Sequence, residues 1–152
     1  MQIKKLAPYE YQQVTALFDK YRIFYGQPSN ITLAENFIKE RLDNGESVIF
    51  VAFADNRGEF VPAGFTQLYP LISSVRAAKN WLLNDLYVDA AFRKQGIGEA
   101  LIKAAMDFAR SESAKFVKLE TAFDNYTAQR LYERIGFVKQ EPNNFFAYRI
   151  DV

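Results

Sequence analysis

Apolar and polar positions alternate along this chain with two different periods, and the switches between them predict the elements. Residues 2–6 read as a first short strand, and Pro8 sits where the first turn of a helix accepts it. From Tyr9, the positions Val14, Leu17, Phe18 and Tyr21 recur at helical spacing, and Gly26-Gln27-Pro28-Ser29 ends that helix. Asn30 or Thr32 caps a second helix whose stripe is Leu33, Phe37, Ile38 and Leu42, closed by Asn44-Gly45. Ser47 to Ala54 is an apolar, β-branched strand, Asp55 to Gly58 a hairpin turn, and residues 60–69 the returning strand, with Pro62 and Gly64 predicting an irregular start. Asn80 to Val88 is a third strand. The period then changes to helical through Ile97, Leu101, Ala104/Ala105 and Phe108. Lys115 to Thr121 alternates as a strand, Asp124 or Asn125 caps a helix with Ala128, Leu131, Tyr132 and Ile135, and Gly136 closes it. Phe137–Lys139 and Phe145–Ile150 are expected as the last two strands.

The expected order is β-α-α-β-β-β-α-β-α-β-β: a mixed α/β (α+β) domain over residues 1–152, with four helices and about seven strands, the sheet mixed but mostly antiparallel. The β-α-β unit at 80–121 should be a right-handed crossover that brings two strands parallel and close together.

Composition narrows the chemistry more than the architecture. The chain has 152 residues, 49% hydrophobic and 24% charged, with 19 Lys+Arg against 18 Asp+Glu and a net charge of +1. Such a balance argues against a charge-driven nucleic-acid or membrane partner. With no Cys, there is no disulfide framework, thiolate nucleophile or Cys-ligated metal; with no His, no imidazole base or His-ligated metal. Catalysis therefore rests on carboxylates, Tyr, Lys, Ser/Thr, backbone groups or water, and no metal is expected. The longest apolar run, Val48 to Ala54, is far short of the ~20 residues of a membrane span. Met1 to Leu6 holds no long apolar stretch of a secretion signal, so a cytoplasmic protein is expected.

Two segments carry candidate chemistry. Arg93-Lys94-Gln95-Gly96-Ile97-Gly98-Glu99-Ala100 joins a predicted strand to a predicted helix. Its two glycines allow close backbone approach to a ligand, and the first helical turn offers outward N–H groups and a positive dipole end, a combination suited to phosphate. Arg93 and Lys94 add countercharge. The plainer reading is a tight strand-to-helix turn. In the second segment, Asn125, Ala128 and Tyr132 fall at i, i+3 and i+7 on one helix face, which suits a long thin ligand passing alongside. Here the plainer reading is an N-cap and a core aromatic.

Together the two segments resemble the GNAT N-acetyltransferase superfamily, most strongly over residues 80–140. The resemblance implies acetyl-CoA as co-substrate and acetyl transfer to an amine. It implies that Arg93, Gly96 and Gly98, with the amides of Lys94, Gln95, Ile97 and their neighbours, cradle the CoA pyrophosphate. The strand Leu86-Tyr87-Val88 would offer main-chain groups to pantetheine and the acetyl carbonyl, Asn125 and Ala128 would lie along the cofactor, and Tyr132 would protonate the departing thiolate. A phenol of ordinary pKa ~10 is protonated at neutral pH and can do so. The Val88 N–H can polarise the carbonyl, and the absence of Cys favours direct attack in a ternary complex.

Relatives carry a basic Glu where this chain reads Asn84, which cannot accept a proton. The nearest carboxylate, Asp85, is expected on the opposite face of a regular strand; either Asp85 or a water chain is expected to deprotonate the amine. The segment Tyr21-Arg22-Ile23-Phe24-Tyr25-Gly26-Gln27-Pro28-Ser29 and the strand at 81–88 are similar to the small-amine branch near the histone/polyamine acetyltransferases. Tyr21, Phe24 and Tyr25 would surround a small-molecule cationic amine, with Asn84 alongside it and Glu35 or Glu40 adding charge. The resemblance also implies a homodimer through the C-terminal strands. A non-catalytic acyl-CoA sensing module, and an acetyltransferase acting on protein lysines or N-termini, remain the alternatives.

Overall fold

The two predicted apolar stripes of the N-terminal region become a helical layer over one face of a sheet. The computed structural model describes residues 1–142 and 144–152, and the chain divides into two compact units, Met1–Glu120 and Thr121–Val152. In the first, β1 (Gln2–Lys5) leads through a single 3-10 turn at Pro8–Glu10 into α1 (Gln12–Phe24). The helix starts later than Tyr9 because Glu10 is drawn backward: its carboxylate accepts from the Ala7 amide at 2.8 Å and pairs with Lys4. Helix α2 (Ile31–Asp43) is capped by Asn30, whose Oδ1 accepts from the Leu33 amide at 3.0 Å. Its end is the expected Asn44-Gly45, with Gly45 left-handed at φ +64°.

Strands β2 (Val48–Asn56), β3 (Glu59–Ser73), β4 (Ala78–Val88) and β5 (Val117–Lys118) complete a five-stranded sheet in the order β1-β2-β3-β4-β5. All neighbours are antiparallel except β4 and β5, so the expected parallel crossover through α3 (Ile97–Ser111) is present. The β2–β3 hairpin closes on Arg57-Gly58, both at positive φ, with the Asp55 carboxylate accepting the Gly58 amide at 2.7 Å.

Alternate β3 residues face opposite layers. Phe65 meets Phe18 and Tyr21 of α1 edge-on, in a buried cluster with Val14, Leu17, Ile38 and Val51. Gly64 faces the other way, onto Ile97 and Leu101 of α3. A Cβ at Gly64 would stand 2.8 Å from the Tyr87 carbonyl oxygen, so only glycine lets α3 and β4 lie this close to β3. Pro62 and Gly64 mark an irregularity, as expected: Phe53 pairs with Pro62 and Ala52 with Gly64, leaving Ala63 as an extra residue.

The second unit holds α4 (Tyr126–Ile135), capped by Asn125 and closed at Gly136 with φ +118°. The sheet corrects the expectation of about seven strands. Neither Phe137–Lys139 nor Phe145–Ile150 forms a strand, and Phe145, Phe146, Tyr148 and Ile150 are 83–92% exposed. β5 is likewise two residues long and not seven. Alternation records only a preference for a pleated surface; a strand exists when a neighbour completes its ladder of hydrogen bonds. Among the described residues, no helix is long and apolar enough to cross a membrane.

Candidate active site

The candidate site is organised by an irregularity in β4. Gln67 pairs with Asp85 and Leu68 with Leu83, so Asn84 is an extra residue with no partner in register. The bulge overturns the expectation that Asn84 and Asp85 face apart. It shifts the period by one residue, which puts Asp85 and Tyr87 on the α1 side of the sheet, opposite Gln67 and Phe65 respectively. Asn84 leans toward the same side and donates from Nδ2 to Asp85 Oδ1 at 2.8 Å. The Thr66 hydroxyl donates to the Asp85 carbonyl at 2.8 Å.

Asp85 is 3% exposed. Besides Asn84, it accepts from the Tyr21 hydroxyl at 2.7 Å and from Gln67 Nε2. A buried carboxylate demands such partners, since an isolated charge in the interior is strongly disfavoured. Tyr21 answers in turn: burial, and then the charge of Asp85, push its hydroxyl far above the ordinary phenol range, so it stays a donor at every physiological pH. Tyr69, two residues from Gln67 on the same face of β3, is pushed up to about 12, first by burial and then by Asp85. Gln67 is fully buried, and its Oε1 has no hydrogen-bond partner among the described residues. Neither Gln67 nor Tyr69 stood among the sequence-predicted site residues. The available signal was the adjacent polar pair Thr66-Gln67 within an otherwise apolar strand, which only a buried hydrogen-bond network explains.

Aromatic rings extend this face toward the end of β4. Tyr21 and Tyr25 meet at 5.0 Å, Phe24 and Tyr25 at 5.2 Å, and Tyr21 and Phe24 each lie 6.4 Å from Tyr87. The three predicted aromatics are thus together, but not in equal roles. Tyr21 is committed to Asp85, whereas Phe24 and Tyr25 are each 61% exposed. Glu35 and Glu40 stay out of this cluster's hydrogen bonds; Glu40 pairs with Arg41 at 3.0 Å.

Beyond Val88 the backbone does the shaping. After a single 3-10 turn at Ala90–Phe92, Lys94 takes φ +62° and Gly96 φ +77°. Left-handed residues in such a turn can bring successive N–H groups into a concavity that suits an anion. A non-glycine at positive φ costs on the order of 1–3 kcal/mol and concentrates at ligand clamps; Lys94 is such a residue. The first helical bond of α3 runs from the Ala100 amide to the Gly96 carbonyl at 3.0 Å, so the Ile97 and Gly98 amides precede it at the positive end of the helix. Arg93 and Lys94 are exposed beside them, and the donor set fits the diphosphate of a nucleotide.

On α4 of the second unit, Asn125, Ala128 and Tyr132 share the least exposed side. The Asn125 Oδ1 caps the helix by accepting the Ala128 amide at 3.2 Å, leaving its Nδ2 for other use. The Tyr132 ring packs edge-on to Phe137 at 5.9 Å.

Residues 13–137 match the model of the acetyltransferase (GNAT) family. Over 152 residues the chain is 41% identical to an uncharacterized N-acetyltransferase, YhfO, of Bacillus subtilis (strain 168), with 100% of this chain and 98% of that one covered. The crystal structure of a probable acetyltransferase is similar, with a TM-score of 0.85 and 36% identity over 100% of this chain and 98% of that one. The structure of AAC(6')-Iy in complex with the bisubstrate analog CoA-S-monomethyl-acetylneamine has a TM-score of 0.76 at 19% identity, covering 98% of each chain, which is a likeness of fold.

Proposed function

Because the chain belongs to the acetyltransferase (GNAT) family, as an acetyl-CoA-dependent N-acetyltransferase, we propose that it acetylates a primary amine of a small cationic molecule by direct attack in a ternary complex. In this reading residues 1–152 work as one acetyltransferase domain. The observation that carries the choice of acceptor is the buried carboxylate of Asp85 behind a half-exposed aromatic surface. Aromatic faces and a carboxylate attract a cationic amine; Asp85 and Tyr87 lie on the strand that leads to Val88, and Tyr21, Phe24 and Tyr25 on the end of α1 that faces it.

The diphosphate of acetyl-CoA sits in the turn at 93–98, and the main chain of Leu86 to Val88 aligns the thioester. The amine nitrogen forms a bond to the thioester carbonyl carbon while the Val88 N–H steadies the developing oxyanion, an interaction worth about 3 kcal/mol. The carbon–sulfur bond then breaks, the thiolate takes the Tyr132 hydroxyl proton, and the second proton of the attacking nitrogen returns through water to the Tyr132 phenolate, leaving the neutral amide. The first proton, lost by the ammonium before it attacks, goes to Asp85. Three residues of strand separate Asp85 from Val88, roughly 10 Å, which is too far for one hydrogen bond, so water carries the proton between them.

Release of CoA from acetyl-CoA, measured against polyamines, amino acids, aminoglycosides and lysine peptides, tests this reading. Release with a small amine, sharply reduced in Tyr132→Phe, is the expected result. Release with lysine peptides alone would move the acceptor to protein, and no release with any amine would remove the proposal.

A further inference from the structure

The aromatic surface proposed for the acceptor holds a cation of the protein's own. The Arg93 guanidinium lies 5.9 Å from the ring centroids of both Phe24 and Tyr87. Its Nε donates to the Val88 carbonyl at 3.0 Å. Asp89, at the start of the same turn, bonds to Lys20 and to the Ala91 amide and feels the Arg93 charge only behind these; the guanidinium's own contacts here are two π faces and a main-chain oxygen. Those are the partners a protonated amine requires: ring faces for its charge and a carbonyl for its N–H.

Arg93 is also the first residue of the turn that would receive the diphosphate. A guanidinium grips phosphate through in-plane pairs of N–H groups, and its Nε edge is committed to Val88. Forking that edge onto a diphosphate therefore breaks the Val88 bond.

We propose that Phe24, Tyr87 and the Val88 carbonyl form the seat of the acceptor's cationic nitrogen, and that Arg93 occupies it until a diphosphate at the 93–98 turn draws the guanidinium away. The inference deepens the functional reading above and rests on it. Arg93 then makes binding of the nucleotide and of the amine mutually favourable, since removing the internal cation for one ligand removes the competitor of the other. Such coupling is reciprocal, and its usual size is roughly 5- to 100-fold in affinity.

The test follows the Arg93 Nε–H signal by NMR in the full-length protein, assigned by its loss in Arg93→Lys, with butylammonium chloride and CoA as probes against matched sodium chloride. The free protein is expected to show a ring-shifted Nε–H that moves on adding either probe. Butylammonium affinity should rise at least about fivefold when CoA is saturating. In Arg93→Gln, butylammonium should bind more tightly without CoA and lose its dependence on CoA. Phe24→Leu, at an exposed position that tolerates change, should weaken butylammonium without weakening CoA, since it also loosens the resting seat of Arg93. Equal butylammonium affinity with and without CoA, or no effect of Phe24→Leu, overturns the proposal. If that happens while an amine is still acetylated, the seat is wrong and the enzyme reading stands. If the coupling is found and no amine is acetylated, the seat stands as a binding site and the reading of function fails.

Discussion

The two ends of the candidate site are built from opposite materials. At the bulge, side chains do the work: Tyr21, Gln67 and Asn84 converge on the buried Asp85. From Val88 to Gly98 the work falls to the backbone, through left-handed Lys94 and Gly96 and the opening amides of α3, under exposed cations. A buried side-chain network penalises any member that loses its partner, so a substitution at the first end costs stability together with any chemistry proposed for Asp85. Backbone amides survive most substitutions, so under the proposed reading ligand affinity and stability separate at the second end.

The largest effect that would sharpen this contrast is at Asp85. If Asp85 takes the proton as proposed, the near-isosteric Asp85→Asn should lower kcat roughly 10²–10⁴-fold. An unchanged rate would make Asp85 a structural anchor. Next comes Gly64→Ala, where the new Cβ meets the Tyr87 carbonyl, a backbone atom that cannot swing aside. Thermal unfolding should report a loss of about 1–3 kcal/mol. At the opposite end, Gly96→Ala meets no atom within 4 Å but retains a left-handed φ, costing about 1–2 kcal/mol if the turn is kept. The KM for acetyl-CoA should rise several-fold while kcat stays close to normal, and a fall in kcat alone would break the division between the two ends.

The smallest effect is alkaline. Tyr69 is raised from its unfolded value of about 10 to about 12, so between those values the folded state keeps a proton that the unfolded chain has lost. Its contribution to stability is complete below pH 10 and fades as pH climbs through 12. Chemical denaturation of Tyr69→Phe should show a shallower loss over that window than the parent protein. Asp19 behaves in the reverse sense: the Ser29 hydroxyl, then the Asn30 amide, hold its pKa below the ordinary carboxylate value, so its contribution is lost in acid.

Much of this was legible along the chain. Helical stripes at Val14, Leu17 and Phe18, and at Leu101 and Ala105, became the buried faces of α1 and α3, because a period near 3.6 has few other uses. The caps, legible to within two candidates and settled at Asn30 and Asn125, and the hairpin turn at Asp55 to Gly58 were equally readable, since each is a local bargain between one side chain and its own backbone. The C-terminal segment was not, because Phe145 to Ile150 has the aromatic composition of a strand, and composition carries no information about a partner.

What the sequence determined by itself, then, was whatever depends on neighbours within a few residues: helices, turns, a glycine turn ahead of α3, and a chemistry without thiolate or imidazole, since Cys and His are absent. What only the tertiary structure decided was the bulge at Asn84 and its consequences. Asn80 to Val88 reads as one continuous strand, yet pairing with β3 inserts one residue and turns Asp85 and Tyr87 onto the face of Tyr21 and Phe65. Register belongs to two strands at once, and neither strand's sequence contains it alone.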